Sequence, residues 1–221
     1  MYHLFTGIIE EIGTLKAIVN TRTSARLLIQ ADYILSDIAI GDSIAVNGVC
    51  LTVCNYTKNS FEADVMHETL NRTAFSSLQN GSRVNLERAM PANGRFGGHI
   101  VSGHIDGTGE ILGFRNDGIA TVVTITTSPS IVHYIIEKGS IAIDGTSLTV
   151  TSVSEAENTF EVSLIPHTKD NTILLTKKKG ELVNLENDVI GKYIERFLKP
   201  APKEESKSSR ITEEFLTKYG Y

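Results

Sequence analysis

Ser43-Ile-Ala-Val-Asn-Gly-Val-Cys-Leu-Thr-Val53 and Ser140-Ile-Ala-Ile-Asp-Gly-Thr-Ser-Leu-Thr-Val150 are one pattern written twice. Each copy reads as a strand, a tight Asn-Gly or Asp-Gly turn, and a second strand. Glycine accepts a positive φ at no steric cost, which makes that dipeptide between β-rich runs a strong hairpin signal. One copy predicts an ordinary hairpin. Two copies, with Ser-Ile-Ala before the turn and Leu-Thr-Val after it, predict a duplicated fold. Gly48 and Gly145 lie 97 residues apart.

The repeat extends outwards in both directions. Thr6-Gly-Ile-Ile-Glu10 answers Ser102-Gly-His-Ile-Asp106, and Val84-Asn-Leu-Glu87 answers Val183-Asn-Leu-Glu186. A period near 100 residues indicates two similar domains, since solenoid units are shorter. Each half predicts six short strands with glycine-rich turns. The first half offers Gly7–Val19, Ala25–Gln30, the hairpin, Asn59–Val65 and Arg83–Glu87, with short helices over Ala31–Ile38 and Glu68–Leu78. The second offers Ile100–Phe114, Thr121–Thr126, its hairpin, Thr159–Leu164 and Leu182–Leu185, with a helix over Ser130–Glu137 capped by Ser128 or Ser130. Two tandem six-stranded antiparallel β-barrels are the expected fold. Their limits are residues 1–97 and 98–187, joined through the loop composition of Pro91–Gly98.

Beyond residue 187 the repeat stops. Val189, Ile190, Tyr193, Ile194, Phe197 and Leu198 recur at helical spacing within 188–199, so that segment predicts an amphipathic helix suited to docking on its own barrel or to holding subunits together. Residues 200–221 read as a polar, flexible tail.

At 221 residues, 41% hydrophobic and 21% charged, the chain has an ordinary globular composition. A net charge of −5 argues against nucleic acid or anionic membrane as the main partner. No apolar run approaches the roughly 20 residues needed to span a bilayer, and Glu10 and Glu11 interrupt the one candidate for a secretory signal. Cys50 and Cys54 on one strand would lie about 13 Å apart, too far for a disulfide. Both are expected as free thiols in a reducing cytoplasm.

Comparing the copies isolates asymmetry. Cys50 stands where the second copy has Ser147, and Ile8 where it has His104. A glycine-flanked imidazole is open to a ligand and titrates near neutrality. His99 and His104 lack the further ligands that zinc requires, so no metal site is expected. Gly103–Gly109 lies in a strand pattern and fails the context test for a dinucleotide loop.

Phe5-Thr-Gly-Ile-Ile-Glu10, Asn47–Val53, Gly97-Gly-His-Ile-Val-Ser-Gly-His-Ile105 and Asp144–Val150, in this order, resemble the riboflavin synthase family from Phe5 to about Leu198. The resemblance implies two Greek-key barrels with a C-terminal helix, assembled as a homotrimer. It implies a dismutation of two molecules of 6,7-dimethyl-8-ribityllumazine to riboflavin and 5-amino-6-(ribitylamino)uracil, with no cofactor. By the same resemblance Cys50, Ser43, His104 and Phe5 are the catalytic candidates. His104 would shuttle protons, Cys50 would act as nucleophile or polar contact at C7, and Ser43 would lend a hydrogen bond.

The implied first pocket is lined by Gly7, Ile8, Ile9, Cys50, Leu51, Thr52, Asp64, Val65, Met66, His67, Glu68 and Thr69. The second is lined by Gly103, His104, Ile105, Lys138, Ser147, Leu148, Thr149, Ser163, Leu164, Ile165, Pro166, His167 and Thr168. The family pattern opens Met-Phe-Thr-Gly, whereas Tyr2-His3-Leu4 intervene here before Phe5. A non-catalytic lumazine or flavin carrier of the same fold is the alternative reading.

Overall fold

The computed structural model describes residues 4–22, 24–199 and 213–220. Six strands of the first half, β1 (Glu11–Asn20), β2 (Ser24–Gln30), β3 (Ser43–Val46), β4 (Val49–Tyr56), β5 (Ser60–Met66) and β6 (Arg83–Arg88), close into a barrel in the order β1-β2-β5-β4-β3-β6. The second half repeats this with β7 (Gly107–Asp117), β8 (Ala120–Thr126), β9 (Ser140–Ile143), β10 (Thr146–Ser154), β11 (Thr159–Leu164) and β12 (Leu182–Asn187). Its closed order is β7-β8-β11-β10-β9-β12. Alternating side chains fill each interior, led by Leu15, Ile29, Ile44, Phe61 and Leu86 in the first and Ile111, Ile125, Ile141, Phe160 and Leu185 in the second. All pairings are antiparallel, and closure removes the open edges that would otherwise invite aggregation.

Both hairpin turns take the expected form. Asn47 and Gly48 have φ of 44° and 79°, and Asp144 and Gly145 repeat those angles. Two positive φ values in succession match the right-handed twist of the flanking strands.

Several elements differ from the sequence reading. The strands expected to start at Gly7 and Ile100 begin later, at Glu11 and Gly107. The reason is a competing acceptor: buried Glu87 takes the N–H groups of Thr6 and Gly7, and Glu186 takes those of Ser102 and Gly103. The segment expected as a helix over Ala31–Ile38 shrinks to a 3₁₀ turn, Tyr33–Leu35. The helix expected over Glu68–Leu78 divides into α1 (His67–Arg72) and a 3₁₀ turn, Ala74–Ser77. It breaks at extended Thr73, whose Oγ1 donates to the Thr69 carbonyl and accepts from the Phe75 amide.

Helix α2 (Pro129–Val132) is a single turn led by Ser128, and the second half also holds a helix that its sequence pattern does not predict, α3 (Pro166–Asn171). Residues 1–189 form one compact unit. The second unit, residues 190–221, holds most of the amphipathic helix α4 (Val189–Leu198), where Tyr193 and Phe197 stack at 6.4 Å, and the short α5 (Glu213–Lys218). Of the expected tail, residues 200–212 and 221 lie outside the described residues, as do residues 1–3. Among the described residues no helix is long and apolar enough to cross a membrane.

Candidate functional site

The two halves meet about a local pseudo-twofold, and their bonds come in reciprocal pairs. Phe5 and Val101 exchange both backbone hydrogen bonds, at 2.8 and 3.1 Å. Asn85 donates through Nδ2 to the Asp144 carbonyl, and Asn184 likewise to the Asn47 carbonyl, each at 2.9 Å. The side-chain oxygens of the same asparagines accept from Ile173 and Ala74. Each asparagine is fully buried, so these bonds satisfy groups that water cannot reach.

The loops before β1 and β7 cross between the halves. The Ser147 amide donates to the Gly7 carbonyl at 2.7 Å, and the Cys50 amide donates to the Gly103 carbonyl at 2.9 Å. Gly7 (φ 76°) and Gly103 (φ 79°) are required there twice over. A Cβ on Gly7 would lie 2.6 Å from Ser147 Cβ, and one on Gly103 would lie 2.5 Å from Cys50 Cβ. The grouping of the sequence reading is therefore exchanged. Gly103-His104-Ile105 belongs with Cys50, and Gly7-Ile8-Ile9 belongs with Ser147.

A cavity of about 250 Å³ results on the first barrel, lined by Val49, Cys50, Glu68, Thr69, Arg72, Thr73, Gly103, His104 and Ile105. It unites six of the expected residues. Ser43 sits behind Cys50, almost fully buried, and its Oγ has no hydrogen-bond partner among the described residues. Burial pushes the Cys50 thiol up, the nearby Ser43 hydroxyl opposes that, and the Glu186 carboxylate adds to it. Cys50 is therefore a neutral thiol at pH 7. His104 is exposed on the rim.

Other expected residues lie apart from this cavity. Leu51, Val65, Leu148 and Leu164 are core. Asp64 points away from the barrel interior and holds Arg26 at 2.7 Å, and that ion pair lowers its carboxyl below the ordinary range. Met66 and His67 follow on the exposed edge, with His67 Nε2 3.2 Å from the Thr21 carbonyl. Thr52 and Thr149 are exposed at matching places on β4 and β10. Phe5 is fully buried among Ala45, Val101 and Ala142, so its ring touches no open space.

On the second barrel, Ser147 faces a residue the sequence reading gave no role. His99 Nδ1 lies 2.7 Å from Ser147 Oγ, and burial lowers its pKa, with Asp188 pulling the other way. Its Nε2 is buried without a partner among the described residues. Ile8 lies beside Gly97 at the edge of a second cavity, of about 450 Å³, which is lined by first-half and linker residues, Glu87, Arg88 and Met90 among them, and by neither Ser147 nor His99. Ser163, Ile165, Pro166, His167 and Thr168 run from the end of β11 into α3, in the places of Asp64 to Thr69 of the first half. Lys138 is exposed at φ 64°, donating its amide to Val150 as Gly41 (φ 96°) donates to Val53. A lysine held where the other half has glycine costs about 1–2 kcal/mol of backbone strain.

The buried pair Glu87 and Glu186 also escapes the sequence reading. A signal for it exists, because the identical carboxylate ends both copies of Val-Asn-Leu-Glu.

The lumazine-binding-domain family model matches the chain twice, over residues 6–89 and 102–188. A protein of Actinobacillus pleuropneumoniae named riboflavin synthase is 55% identical over 99% of this chain and 100% of its own length. Riboflavin synthase of Bacillus subtilis (strain 168) is 48% identical with the same coverage. Among solved structures, LumP complexed with riboflavin superposes with a TM-score of 0.75 at 26% identity, over 83% of this chain and 98% of that one. LumP complexed with 6,7-dimethyl-8-(1'-D-ribityl) lumazine gives 0.73 at the same identity and coverage.

Proposed function

The chain belongs to the riboflavin synthase family of lumazine-binding-domain proteins, and from that premise we propose how its two unequal pockets share one reaction. The enzyme dismutates two molecules of 6,7-dimethyl-8-ribityllumazine, moving a four-carbon unit from one to the other and releasing riboflavin and 5-amino-6-(ribitylamino)uracil. Two identical reactants must play different parts. The observation that carries the proposal is the difference between two equivalent loop crossings: Cys50 meets Gly103 and shares a cavity with His104, whereas Ser147 meets Gly7, which leads into Ile8, and bonds His99.

The 7-methyl group of the lumazine is acidic because its carbanion delocalises into the ring system, so a base of ordinary strength suffices. His104, on the open rim, moves that proton. Cys50 stays a neutral thiol and serves as a polar contact at C7 in preference to a thiolate nucleophile, with Ser43 behind it. His99, neutral because it is buried, orients the Ser147 hydroxyl at the partner molecule. Lys138 supplies positive charge to the second pocket. Phe5 acts through position, by pinning the crossing of the two loops. Holding two reactants in register is worth several kcal/mol in itself.

Residues 1–97 and 98–187 act as the two binding domains and 188–199 as the assembly helix. A homotrimer would set the first pocket of one subunit against the second pocket of its neighbour. The free thiols Cys50 and Cys54 favour a reducing cytoplasm. Incubation with the lumazine tests the reading. Appearance of riboflavin colour with loss of two lumazines per riboflavin supports it. A stable bound chromophore without turnover would instead make the protein a carrier of the LumP kind.

A further inference from the structure

Glu87 and Glu186 occupy equivalent places at the ends of β6 and β12, each almost completely buried. Three of the donors to each carboxylate match. Glu186 Oε1 accepts from the Ser102 amide at 2.6 Å and from Ser102 Oγ at 2.7 Å, while Oε2 accepts from the Gly103 amide at 2.9 Å. Glu87 repeats the pattern on Thr6 (2.7 and 2.9 Å) and Gly7 (3.0 Å). The next side chain along differs between the two clamps. The clamped Gly103 leads into His104, and the clamped Gly7 leads into Ile8.

We propose that Glu186 is a positioning residue for proton transfer. By holding Ser102-Gly103 on a rigid strand, it fixes His104 against Cys50, while Glu87, holding the same bonds, positions only the apolar Ile8 for binding. The inference rests on His104 being the proton-transfer group.

The mechanism is geometric. Gly103 is held at both ends, its amide by Glu186 and its carbonyl by the Cys50 amide. Among the described residues no side chain hydrogen-bonds the exposed His104 ring, so the direction of the imidazole depends on the backbone beneath it. A group on a loop is held closely enough for chemistry only when a rigid element fixes that loop. Charge-assisted bonds from backbone N–H groups to a carboxylate are the strong kind, and loosening them by a fraction of an ångström lowers the rate of transfer more than binding.

The repeat provides its own control. Glu186→Gln and Glu87→Gln each place an NH₂ where a carboxylate oxygen had accepted, at matching places in the repeat. The expected result is a fall in kcat of about 10- to 100-fold for Glu186→Gln, with KM close to that of wild type and a melting temperature close to that of Glu87→Gln. Glu87→Gln should raise KM and keep kcat within about threefold. A wild-type kcat in Glu186→Gln, or equal losses of kcat in both variants, would overturn the proposal.

His104→Gln is measured alongside. If it is slow while Glu186→Gln is not, the positioning role fails and the reading of His104 stands. If it is itself at wild-type rate, that reading fails. Added to His104→Gln, Glu186→Gln should slow turnover no further. If Glu186→Gln does not fold, Ser102→Ala and Thr6→Val remove one donor from each clamp. A kcat loss confined to Ser102→Ala supports the proposal, and equal or absent losses sink it.

Discussion

The Cys50 amide donates to the carbonyl of Gly103 at 2.9 Å, across the boundary between the two halves. The residue that distinguishes the first barrel is thus fixed by a loop of the second, which also carries His104. Cys50 and His104 are therefore brought together by both halves of the chain.

His104→Gln should reduce turnover by about 10²- to 10⁴-fold, the range for loss of a general acid–base group. Ligand affinity should change less than about threefold, because the ring sits exposed on the rim of the cavity and leaves its walls intact. Steady-state kinetics and a fluorescence titration with riboflavin separate the two quantities. Wild-type turnover in this variant would remove His104 from the mechanism.

Burial raises the Glu87 carboxyl to about 7, against the opposing hydrogen bonds of Thr6 and Gly7, from an ordinary value near 4.5. A carboxyl raised on folding contributes stability that is fully present below pH 4.5 and lost as the pH rises through about 7. Relative to Glu87→Gln, the wild-type protein should gain about 3 kcal/mol at most between pH 8 and pH 4.5. Urea unfolding of both proteins across that range measures the difference. A wild-type stability that does not rise relative to the variant on acidification would contradict the assignment.

Lys138→Gly should stabilise the second barrel by about 1 kcal/mol, because it restores the residue that the first barrel uses at the same positive φ. It should also weaken substrate binding or turnover, since the ammonium is lost. Thermal unfolding and kcat/KM are expected to move in opposite directions. If both fall together, Lys138 supports the fold and has no functional charge.

Legibility in the sequence depends on which residues obey local rules. The hairpins are readable because Asn47-Gly48 and Asp144-Gly145 specify their own φ angles. The barrel strands are readable because burial alternates along them. The loops before β1 and β7 read as strand, since Ile8, Ile9, Ile100 and Ile105 have strand composition and their acceptors lie some 80 residues away. Comparing the copies draws attention to differences, Cys50 against Ser147 and Ile8 against His104. The residues that build the interface between the halves are the ones that do not differ, Asn85 with Asn184 and Glu87 with Glu186. His99 carries no local signal because its partner, Ser147, is 48 residues distant.

Residues 1–97 alone would leave the buried Cys50 amide without Gly103, a loss of about 1–3 kcal/mol. A second copy of the same half offers Gly7 in that role, because Gly7 and Gly103 make equivalent bonds. The isolated half should therefore form a dimer that binds lumazine or riboflavin and does not turn over, since it lacks His104. Sedimentation and activity assays test this. An active monomer would refute the two-pocket account.

Helix α4 carries Ile190, Tyr193, Ile194, Phe197 and Leu198 at helical spacing. Each large apolar side chain that is fully buried contributes about 1.5–3 kcal/mol, so two or three in a seam between helices are enough to decide assembly. An aspartate there would have to be desolvated without a partner, and the seam would open instead. Ile190→Asp with Ile194→Asp should give a folded monomer, because neither residue belongs to a barrel core. That monomer should bind ligand in its separate pockets. Under the proposed assembly the first pocket of one subunit works against the second pocket of the next, so activity should fall with the sedimentation coefficient. It should return as protein concentration is raised. A double variant that stays monomeric and fully active at every concentration would place the whole reaction within one chain.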